Sequence, residues 1–290
     1  MIFTIFTPTY NRAFLLPRLF ESLKQQTFKD FEWLIVDDGS ADNTEEVVFA
    51  FQKENTTFPI RYIKKENGGK HTAINIGVSL AQGELFFIAD SDDILPSVAL
   101  DIVSSTWNEV KEDSSFCGVC GLDATFEGKI IGTGLPTAYI DGSNIEVRLS
   151  MGITGDMKEV FLTSVLKDFP FPEIPGERFC PEILVWNRMG TKYKLRYINE
   201  VIYTAEYQEG GLTDKITAIR MQSPIATMMT YAEMLDYSIP LKVKIRAAIN
   251  YWRFSFCVDN KTRRPKISRK WEVFKHIGWF MYLKDKQKCK

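Results

Sequence analysis

Four apolar runs in the first 95 residues each end in a short polar loop, and a helical pattern follows each of the first three. The apolar runs span residues 2–6, 31–36, 60–63 and 85–89, and the helical patterns span residues 14–26, 43–53 and 71–81. Strands that alternate with helices of this length predict βαβ units and a parallel sheet. The strands of such units all end at one edge of the sheet. The sequence therefore predicts an α/β fold with a composite polar site at that edge.

The residue types in these loops indicate the chemistry of the site. The four loops are Thr7-Pro8-Thr9-Tyr10-Asn11-Arg12, Asp37-Asp38-Gly39-Ser40, Asn67-Gly68-Gly69-Lys70 and Asp90-Ser91-Asp92-Asp93. Crowded carboxylates repel one another unless a cation shares them, and Mg²⁺ or Mn²⁺ prefers carboxylate and phosphate oxygens. Aspartates after the second strand can accept hydrogen bonds from a base or a ribose, and the glycine turn with its lysine suits a phosphate. The alternative for the acidic loop is a turn that caps the helix beginning near Pro96.

Two common nucleotide-binding motifs are absent. The chain has no G-x-x-x-x-G-K-[ST] sequence, and its first strand-to-helix turn contains no glycine. Both a P-loop and a dinucleotide-binding Rossmann turn depend on those glycines for close backbone approach to phosphate. The pattern instead favours a nucleoside diphosphate bound together with its metal ion.

These segments, in this order and spacing, resemble family 2 glycosyltransferases of the GT-A fold. The matching segments are residues 7–12, 25–28 with 31–32, 36–40, 67–70 with 73–77, and 90–93, which cover about the first 110 residues. One departure is Ile74, where relatives often carry arginine. The resemblance implies a doubly wound, mostly parallel GT-A sheet and a nucleotide-sugar donor.

The resemblance also implies a role for each loop residue. It assigns Thr7, Pro8, Thr9, Asp38, Asn67, Lys70, Asp90, Ser91 and Asp92 to nucleotide-sugar binding. Within that set Pro8, Thr9 and Asp38 would line the base pocket, and Lys70 would lie near base or phosphate. Asp92, with Asp90, would hold Mn²⁺ or Mg²⁺, which neutralises the charge on the departing diphosphate. Residues 207–213, with Gly210-Gly211, lie where relatives place a mobile loop over the donor diphosphate.

Two carboxylates are candidates for the base that deprotonates the acceptor hydroxyl. Relatives carry this base in a Glu-Asp pair that opens a helix, with an arginine following it. Counting back from Arg188 places Glu182 on that position, and Pro181 replaces the preceding acid. Glu177, in a loop just before it, is the second candidate. Either glutamate has a structural alternative, which is to complement the dipole at a helix amino terminus.

The carboxyl-terminal segment differs sharply in charge from the rest of the chain. Residues 241–290 contain fifteen Lys and Arg against three acids, a formal charge of +12, while the whole chain carries −1. Aromatic residues interleave with the basic ones, and Val273, Phe274, Ile277, Phe280 and Met281 share one face of a helix. Such a helix can lie on an anionic membrane surface. The alternatives are a stripe that packs on the catalytic domain and, with no recognised motif, nucleic-acid binding.

The sequence thus predicts a GT-A catalytic domain over residues 1–215 and a helical basic extension over residues 216–290. Residues 1–110 would bind the nucleotide sugar and residues 111–215 the acceptor, either a saccharide or a polyprenyl-diphosphate saccharide. The expected function is inverting transfer of a sugar from a UDP-sugar in surface polysaccharide synthesis. The alternatives are a nucleotidyltransferase and a non-catalytic, membrane-docked sugar-nucleotide binding module. Without a basic signal-peptide start, the expected location is cytoplasmic, peripheral on the inner face of the cell membrane.

Overall fold

The computed structural model describes residues 1–54, 56–205, 212–259 and 262–288. The strands are β1 (Phe3–Thr9), β2 (Phe31–Asp37), β3 (Ile60–Lys64), β4 (Leu85–Ile88), β5 (Phe116–Ala124), β6 (Tyr139–Gly142), β7 (Met157–Leu162) and β8 (Lys194–Thr204). The helices are α1 (Leu16–Lys24), α2 (Thr44–Lys53), α3 (Lys70–Leu80), α4 (Ala99–Val110), α5 (Thr163–Asp168), α6 (Glu182–Met189), α7 (Leu212–Gln222), α8 (Pro224–Met234), α9 (Leu241–Ser255) and α10 (Lys275–Lys288). A π-helical turn spans Ile145–Ser150 and a 3-10 helix spans Arg269–Phe274.

The eight strands form one sheet in the order β3-β2-β1-β4-β7-β5-β8-β6. Strands β1 to β4 are parallel to one another, as the sequence predicts. The chain moves outward from β1 to β3 and then returns to place β4 on the other side of β1. Ligands of open α/β sheets bind in the crevice at such a reversal, beyond the carboxyl ends of the strands. The polar loops after β1 and β4 border this crevice.

Helices cover both faces of the sheet, which confirms the α/β prediction. α1, α2 and α4 pack on one face, and α3, α5 and α6 pack on the other. Every residue of β1 and of β2 is buried. Strands that are covered on both sides read as continuous apolar runs rather than alternating ones, which is why they could be recognised in the sequence.

The second half of the sheet is mixed. β7 pairs antiparallel with both β4 and β5, and β6 pairs antiparallel with β8. The sequence places Glu182 at the opening of a helix, where α6 begins, but gives no indication of β7, whose residues mix charged and apolar types. Because β7 lies beside β4, it brings its own polar side chains next to the acidic loop.

Helices α8, α9 and α10 follow the α/β domain and pack on one another in chain order. α8 buries Ala226 in the core beside α6, and α9 packs on α8 through Tyr251 and Phe254. The domain boundary predicted at residue 215 falls inside α7, so that division stays a prediction. Residues 206–211, which include most of the predicted mobile loop, lie outside the described residues. Within the described ranges, no helix combines the length and the hydrophobicity needed to cross a bilayer.

Candidate active site

One lysine joins three parts of the chain at the carboxyl edge of the sheet. Lys70 opens helix α3, and its Nζ lies 2.7 Å from Oδ1 of Asp90, which follows β4. The same Nζ lies 2.9 Å from Oε1 of Glu182, the first residue of α6. The structure therefore brings together a predicted phosphate-binding cation, a predicted ribose or metal ligand and a candidate base. These residues are far apart in sequence.

A glycine fixes where this lysine begins its helix. Gly69 has φ +98°, and a Cβ atom added to it would lie 2.0 Å from the carbonyl oxygen of Arg178. No side chain fits in that space, so the amino terminus of α3 can contact the loop before α6 only because residue 69 is glycine. This contact holds Lys70 and Glu182 within reach of each other.

A second lysine, which the sequence analysis does not identify, neutralises Asp90 from the other side. Lys158 on β7 places its Nζ 3.9 Å from Oδ2 of Asp90 and 3.6 Å from the centre of the Tyr203 ring. Burial alone would raise the pKa of Asp90, but Lys70 and Lys158 outweigh it and lower that pKa to about 2. The Tyr203 hydroxyl accepts a hydrogen bond from the Asp90 backbone amide at 2.7 Å. Asp90 is therefore ionised and held on three sides.

The remaining acids of this loop differ from Asp90 in their surroundings. Asp92 forms an ion pair with Arg12, with 2.5 Å between Oδ2 and Nη1, and Arg18 donates to its backbone carbonyl. Ser91 and Asp93 are buried. Burial, followed by repulsion from Asp90, raises the pKa of Asp93 to about 7. The carboxyl group of Asp93 is thus less acidic than that of Asp90.

The carboxylates of the loop after β4 can be compared with the ligands that a divalent metal ion requires. No group of three or more His, Cys, Asp or Glu side chains arranged to hold a metal ion occurs in the part of the chain that the structure describes. Mg²⁺ and Mn²⁺, however, take only one or two protein carboxylates and complete their shell with phosphates and waters. Asp90 and Asp92 supply two such carboxylates, each neutralised here by basic side chains. The donor set fits, and a metal would compete with Arg12 for Asp92.

The glycine turn after β3 is organised by a carboxylate. Asp38 accepts hydrogen bonds from the backbone amides of Gly68 at 2.9 Å and Gly69 at 2.7 Å. Lys65 lies 2.6 Å from the same carboxylate, and the Asn67 side chain donates to the Asp38 carbonyl at 2.9 Å. These amides were expected to suit a phosphate, but here they bind the aspartate that was expected in the base pocket. The contacts fix the loop that leads into Lys70.

Two side chains of the predicted loops lie on strands β1 and β2 and form hydrogen bonds within the fold, so the role in donor binding given to Thr7 stays a prediction. Thr7 is fully buried, and its hydroxyl accepts a hydrogen bond from the Trp33 indole at 2.9 Å, on the core side of β1. Asp37 accepts hydrogen bonds from the Ser40 amide and the Tyr62 hydroxyl, one on each carboxylate oxygen. Pro8 and Thr9 are also buried, but the Thr9 hydroxyl lacks a hydrogen-bond partner among the described residues.

The two candidate bases lie in different environments. Glu177 accepts hydrogen bonds from the backbone amides of Ile225 at 2.6 Å and Ala226 at 2.9 Å, at the amino terminus of α8. Burial raises the pKa of Glu177, although those amides lower it in part. This is the helix-capping role that the sequence left open for both glutamates. Glu182, in contrast, lies beside Lys70 with a partly exposed side chain.

The sequence does not indicate three features of the site. These are the pairing of Arg12 with Asp92 and the positions of Lys158 and Tyr203 beside Asp90. Arg12 belongs to a recognised segment, so its position at the edge could be expected but not its partner. Lys158 lies on β7 and Tyr203 on β8, two strands whose places in the sheet belong to its mixed half. No local pattern marks them.

Comparison with known proteins connects this edge of the sheet with a family. Residues 4–112 match the family model described as Glycosyl transferase family 2. Glycosyltransferase GlyG of Streptococcus pneumoniae serotype 4 is 34% identical over 112 residues, which are 38% of this chain and 36% of that protein. The GalNAc(5)-diNAcBac-PP-undecaprenol beta-1,3-glucosyltransferase of Campylobacter jejuni is 36% identical over 108 residues, 37% of this chain and 34% of that protein. The chain thus spans about a third of the length of these relatives.

Solved structures extend the likeness to nearly the whole fold. S. aureus TarS 1-349 in complex with UDP superimposes with a TM-score of 0.60 at 20% identity, covering 90% of this chain and 74% of that one. The mannosyltransferase PcManGT from Pyrobaculum calidifontis, in complex with GDP-Man and Mn2+, gives a TM-score of 0.60 at 15% identity, covering 98% and 87%. Both likenesses establish a GT-A fold, as the sequence predicts.

Proposed function

Because residues 4–112 of this chain belong to glycosyl transferase family 2, we propose that the protein transfers a sugar from a nucleotide-diphosphate sugar to a hydroxyl of a saccharide acceptor. The donor is a UDP-sugar, the configuration at the anomeric carbon is inverted, and the product belongs to surface polysaccharide synthesis. The observation that carries this proposal is the contact of Lys70 with both Asp90 and Glu182. A donor-binding carboxylate and a base meet there at one edge of the sheet.

The proposed reaction is a single displacement. Glu182 takes the proton of the acceptor hydroxyl, and the oxygen forms a bond to the anomeric carbon of the donor. The bond from that carbon to the phosphate oxygen breaks, and its electrons leave with the nucleoside diphosphate. Lys70 and Lys158 place two positive charges beside Asp90, where negative charge on the leaving group grows.

A divalent cation fits the same edge. Asp92 and Asp90 would hold Mn²⁺ or Mg²⁺, which would neutralise charge on the diphosphate. The Mn2+ in the mannosyltransferase complex supports this proposal by analogy of fold. Arg12, which pairs with Asp92 in this structure, is then free to approach a donor phosphate.

The acceptor and the location of the protein are proposed together. The name of the C. jejuni relative includes an undecaprenol-linked saccharide, which supports a polyprenyl-diphosphate saccharide as acceptor. Such an acceptor is held in a membrane. The protein would then be cytoplasmic and peripheral on the inner face of the cell membrane.

A donor screen tests the proposed function. Purified protein is incubated with UDP-, GDP- and dTDP-sugars, and both the melting temperature and the release of free nucleoside diphosphate are measured. We expect a UDP-sugar to raise the melting temperature most, and the same donor to release UDP when a saccharide acceptor is present. Release of pyrophosphate from a nucleoside triphosphate and a sugar phosphate would instead identify a nucleotidyltransferase. Stabilisation without turnover on any acceptor would indicate a binding module.

A further inference from the structure

Within the part of the chain that the structure describes, helix α10 contacts the other helices along one side. A Cβ atom added to Gly278 would lie 2.5 Å from Cβ of Trp252, so α10 approaches α9 closely at this point. One helical turn further, the Tyr282 ring lies 5.9 Å from that of Phe256. Asp285 is buried and pairs with Arg253, with 2.8 Å between Oδ1 and Nη2. These three contacts fix which side of α10 faces inward.

The opposite side of the helix is apolar and exposed. Ile277 and Phe280 lie three residues apart on α10 and are 49% and 56% exposed, and Val273, in the 3-10 helix that precedes α10, is 69% exposed. Trp279, next to Phe280 in the chain, is 48% exposed. We call Val273, Ile277, Trp279 and Phe280 the apolar face. Phe274, which the sequence places with this group, instead turns inward, with its ring 6.1 Å from that of the buried Trp271.

The apolar face concentrates exposed hydrophobic side chains in a short segment. Four of them lie within residues 273–280, whereas no large hydrophobic side chain is exposed among the described residues from 152 to 240. Helix α9, in contrast, is covered, since Tyr251 and Phe254 pack on α8. The sequence-based alternative, in which the stripe of residues 273–281 packs on the catalytic domain, does not describe the outer side of α10.

Positive charge surrounds the apolar face. Residues 262–288 contain nine Lys and Arg against Glu272 and Asp285, and Asp285 is already paired with Arg253. Lys284 lies over the ring of Phe280, with its Nζ 4.9 Å from the ring centre. Lys275, Lys286 and Lys288 are exposed. Lysines beside an apolar stripe can reach the phosphates of a bilayer while the stripe enters the headgroup region.

We propose that the apolar face of α10 docks on an anionic phospholipid bilayer, with the surrounding lysines and arginines bound to lipid phosphates. A second copy of the chain fits the same face poorly, because a symmetric pair would bring two segments of formal charge +12 together. A bilayer that contains phosphatidylglycerol offers both an apolar interior and complementary charge. The docking face shares no residue with the candidate active site, so lipid binding can be measured without donor or acceptor.

Point substitutions test this surface better than truncation does. Removal of residues 241–290 would uncover Met228, which is fully buried between α8 and α9, and could unfold the remaining protein. Full-length protein is therefore sedimented with vesicles of phosphatidylcholine alone or mixed with phosphatidylglycerol, at low and at high salt. We expect binding only to the anionic vesicles, weakened but not abolished by salt, because apolar insertion is not screened.

Two variants separate the apolar and the charged contributions. Ile277→Ser with Phe280→Ser should lower the fraction bound to anionic vesicles at least tenfold, and Lys284→Gln with Lys286→Gln and Lys288→Gln should lower it mainly at low salt. The matched control is Phe49→Ser with Val98→Ser, two exposed apolar residues of the amino-terminal half, which should bind as wild type. Equal melting temperatures would show that each variant is folded.

Three results would overturn the proposal. Full-length protein that does not prefer anionic vesicles at low salt would exclude an anionic bilayer as the partner. Serine variants that sediment with vesicles like the wild type would exclude the apolar face. A wild-type dimer in sedimentation equilibrium without lipid, converted to monomer by the same serine substitutions, would identify the face as an interface between copies.

Discussion

At the scale of single residues, Glu182 and Glu177 show why a candidate base has to be judged by its partners. Both are glutamates near the start of the same helix, and the sequence permits either as base. Glu177 is bound by two backbone amides of α8, whereas Glu182 pairs with the Lys70 side chain and stays partly exposed. An acceptor hydroxyl can therefore reach Glu182 without breaking a helix cap.

We expect Glu182→Gln to lower turnover by about 10²–10⁴-fold, because an amide cannot accept the proton. Donor binding, measured by calorimetry, should change little. Glu177→Gln is the matched control: it should keep most of the turnover but lower the free energy of unfolding by about 1 kcal/mol through its weaker cap. The opposite order of the two turnover losses would assign the base to Glu177.

The prediction about the metal ion concerns Asp92. Asp92→Asn should weaken Mn²⁺-dependent UDP binding at least about tenfold, because a neutral amide is a poor ligand for a hard cation. Calorimetry with and without Mn²⁺ measures the effect, and Asp168→Asn, at the exposed end of α5, serves as control. Undiminished metal-dependent binding in Asp92→Asn, or full transfer activity in the presence of a chelator, would remove this residue or the metal from the mechanism.

The residue types of the site could be predicted more reliably than their contacts. Asp90, Lys70 and Glu182 were all assigned from local segments, and they meet in the structure. The pairing of Arg12 with Asp92 and of Lys158 with Asp90 joins residues that are far apart in the chain, and no local spacing encodes such pairs. A segment resemblance also does not say which way a strand residue faces: Thr7 is buried with its hydroxyl bonded to the Trp33 indole, and its assignment to donor binding stays a prediction.

At the scale of elements, the parallel strands β1 to β4 could be predicted and the antiparallel strand β7 could not. β1, β2 and β4 are buried throughout and consist mostly of apolar residues. β7 is only half buried, and its sequence Met-Lys-Glu-Val-Phe-Leu suits a helix or a loop as well as a strand. Its insertion between β4 and β5 is decided by tertiary pairing, which overrides such weak local preference.

The close approach of α3 to the loop before α6 gives a prediction at this scale. Gly69→Ala should lower the free energy of unfolding by about 3 kcal/mol, because it adds a backbone clash to a φ that alanine rarely adopts. Gly128→Ala is the control, since Gly128 has φ +78° but no atom within 4 Å of an added Cβ. Gly128→Ala should lower the free energy of unfolding by about 1 kcal/mol. Unfolding in denaturant measures both variants. Equal losses of stability in the two variants would show that the backbone at Arg178 can move to make room for a Cβ atom at residue 69.

At the scale of the whole molecule, charge is divided between two parts of the chain. Residues 241–290 carry +12, so the first 240 residues carry −13 of the total of −1. The net value alone describes an almost neutral protein and conceals this separation. The sequence predicts the charge division, but which side of α10 faces outward depends on Gly278 and Asp285, whose partners lie on another helix.

Lys70 also links the loop after β4, through Asp90, to helix α6, through Glu182, and from this link we predict the order in which the substrates bind. While Lys70 is paired with Glu182, one carboxylate oxygen of Glu182 is occupied by the ammonium group and is not available to the acceptor hydroxyl. A donor diphosphate, with its greater negative charge, draws the ammonium group away and leaves Glu182 ready for the hydroxyl. We therefore expect an ordered mechanism, donor first, in which UDP inhibits competitively against the donor and non-competitively against the acceptor. Competitive inhibition against both would mean that the two ends of the site act independently.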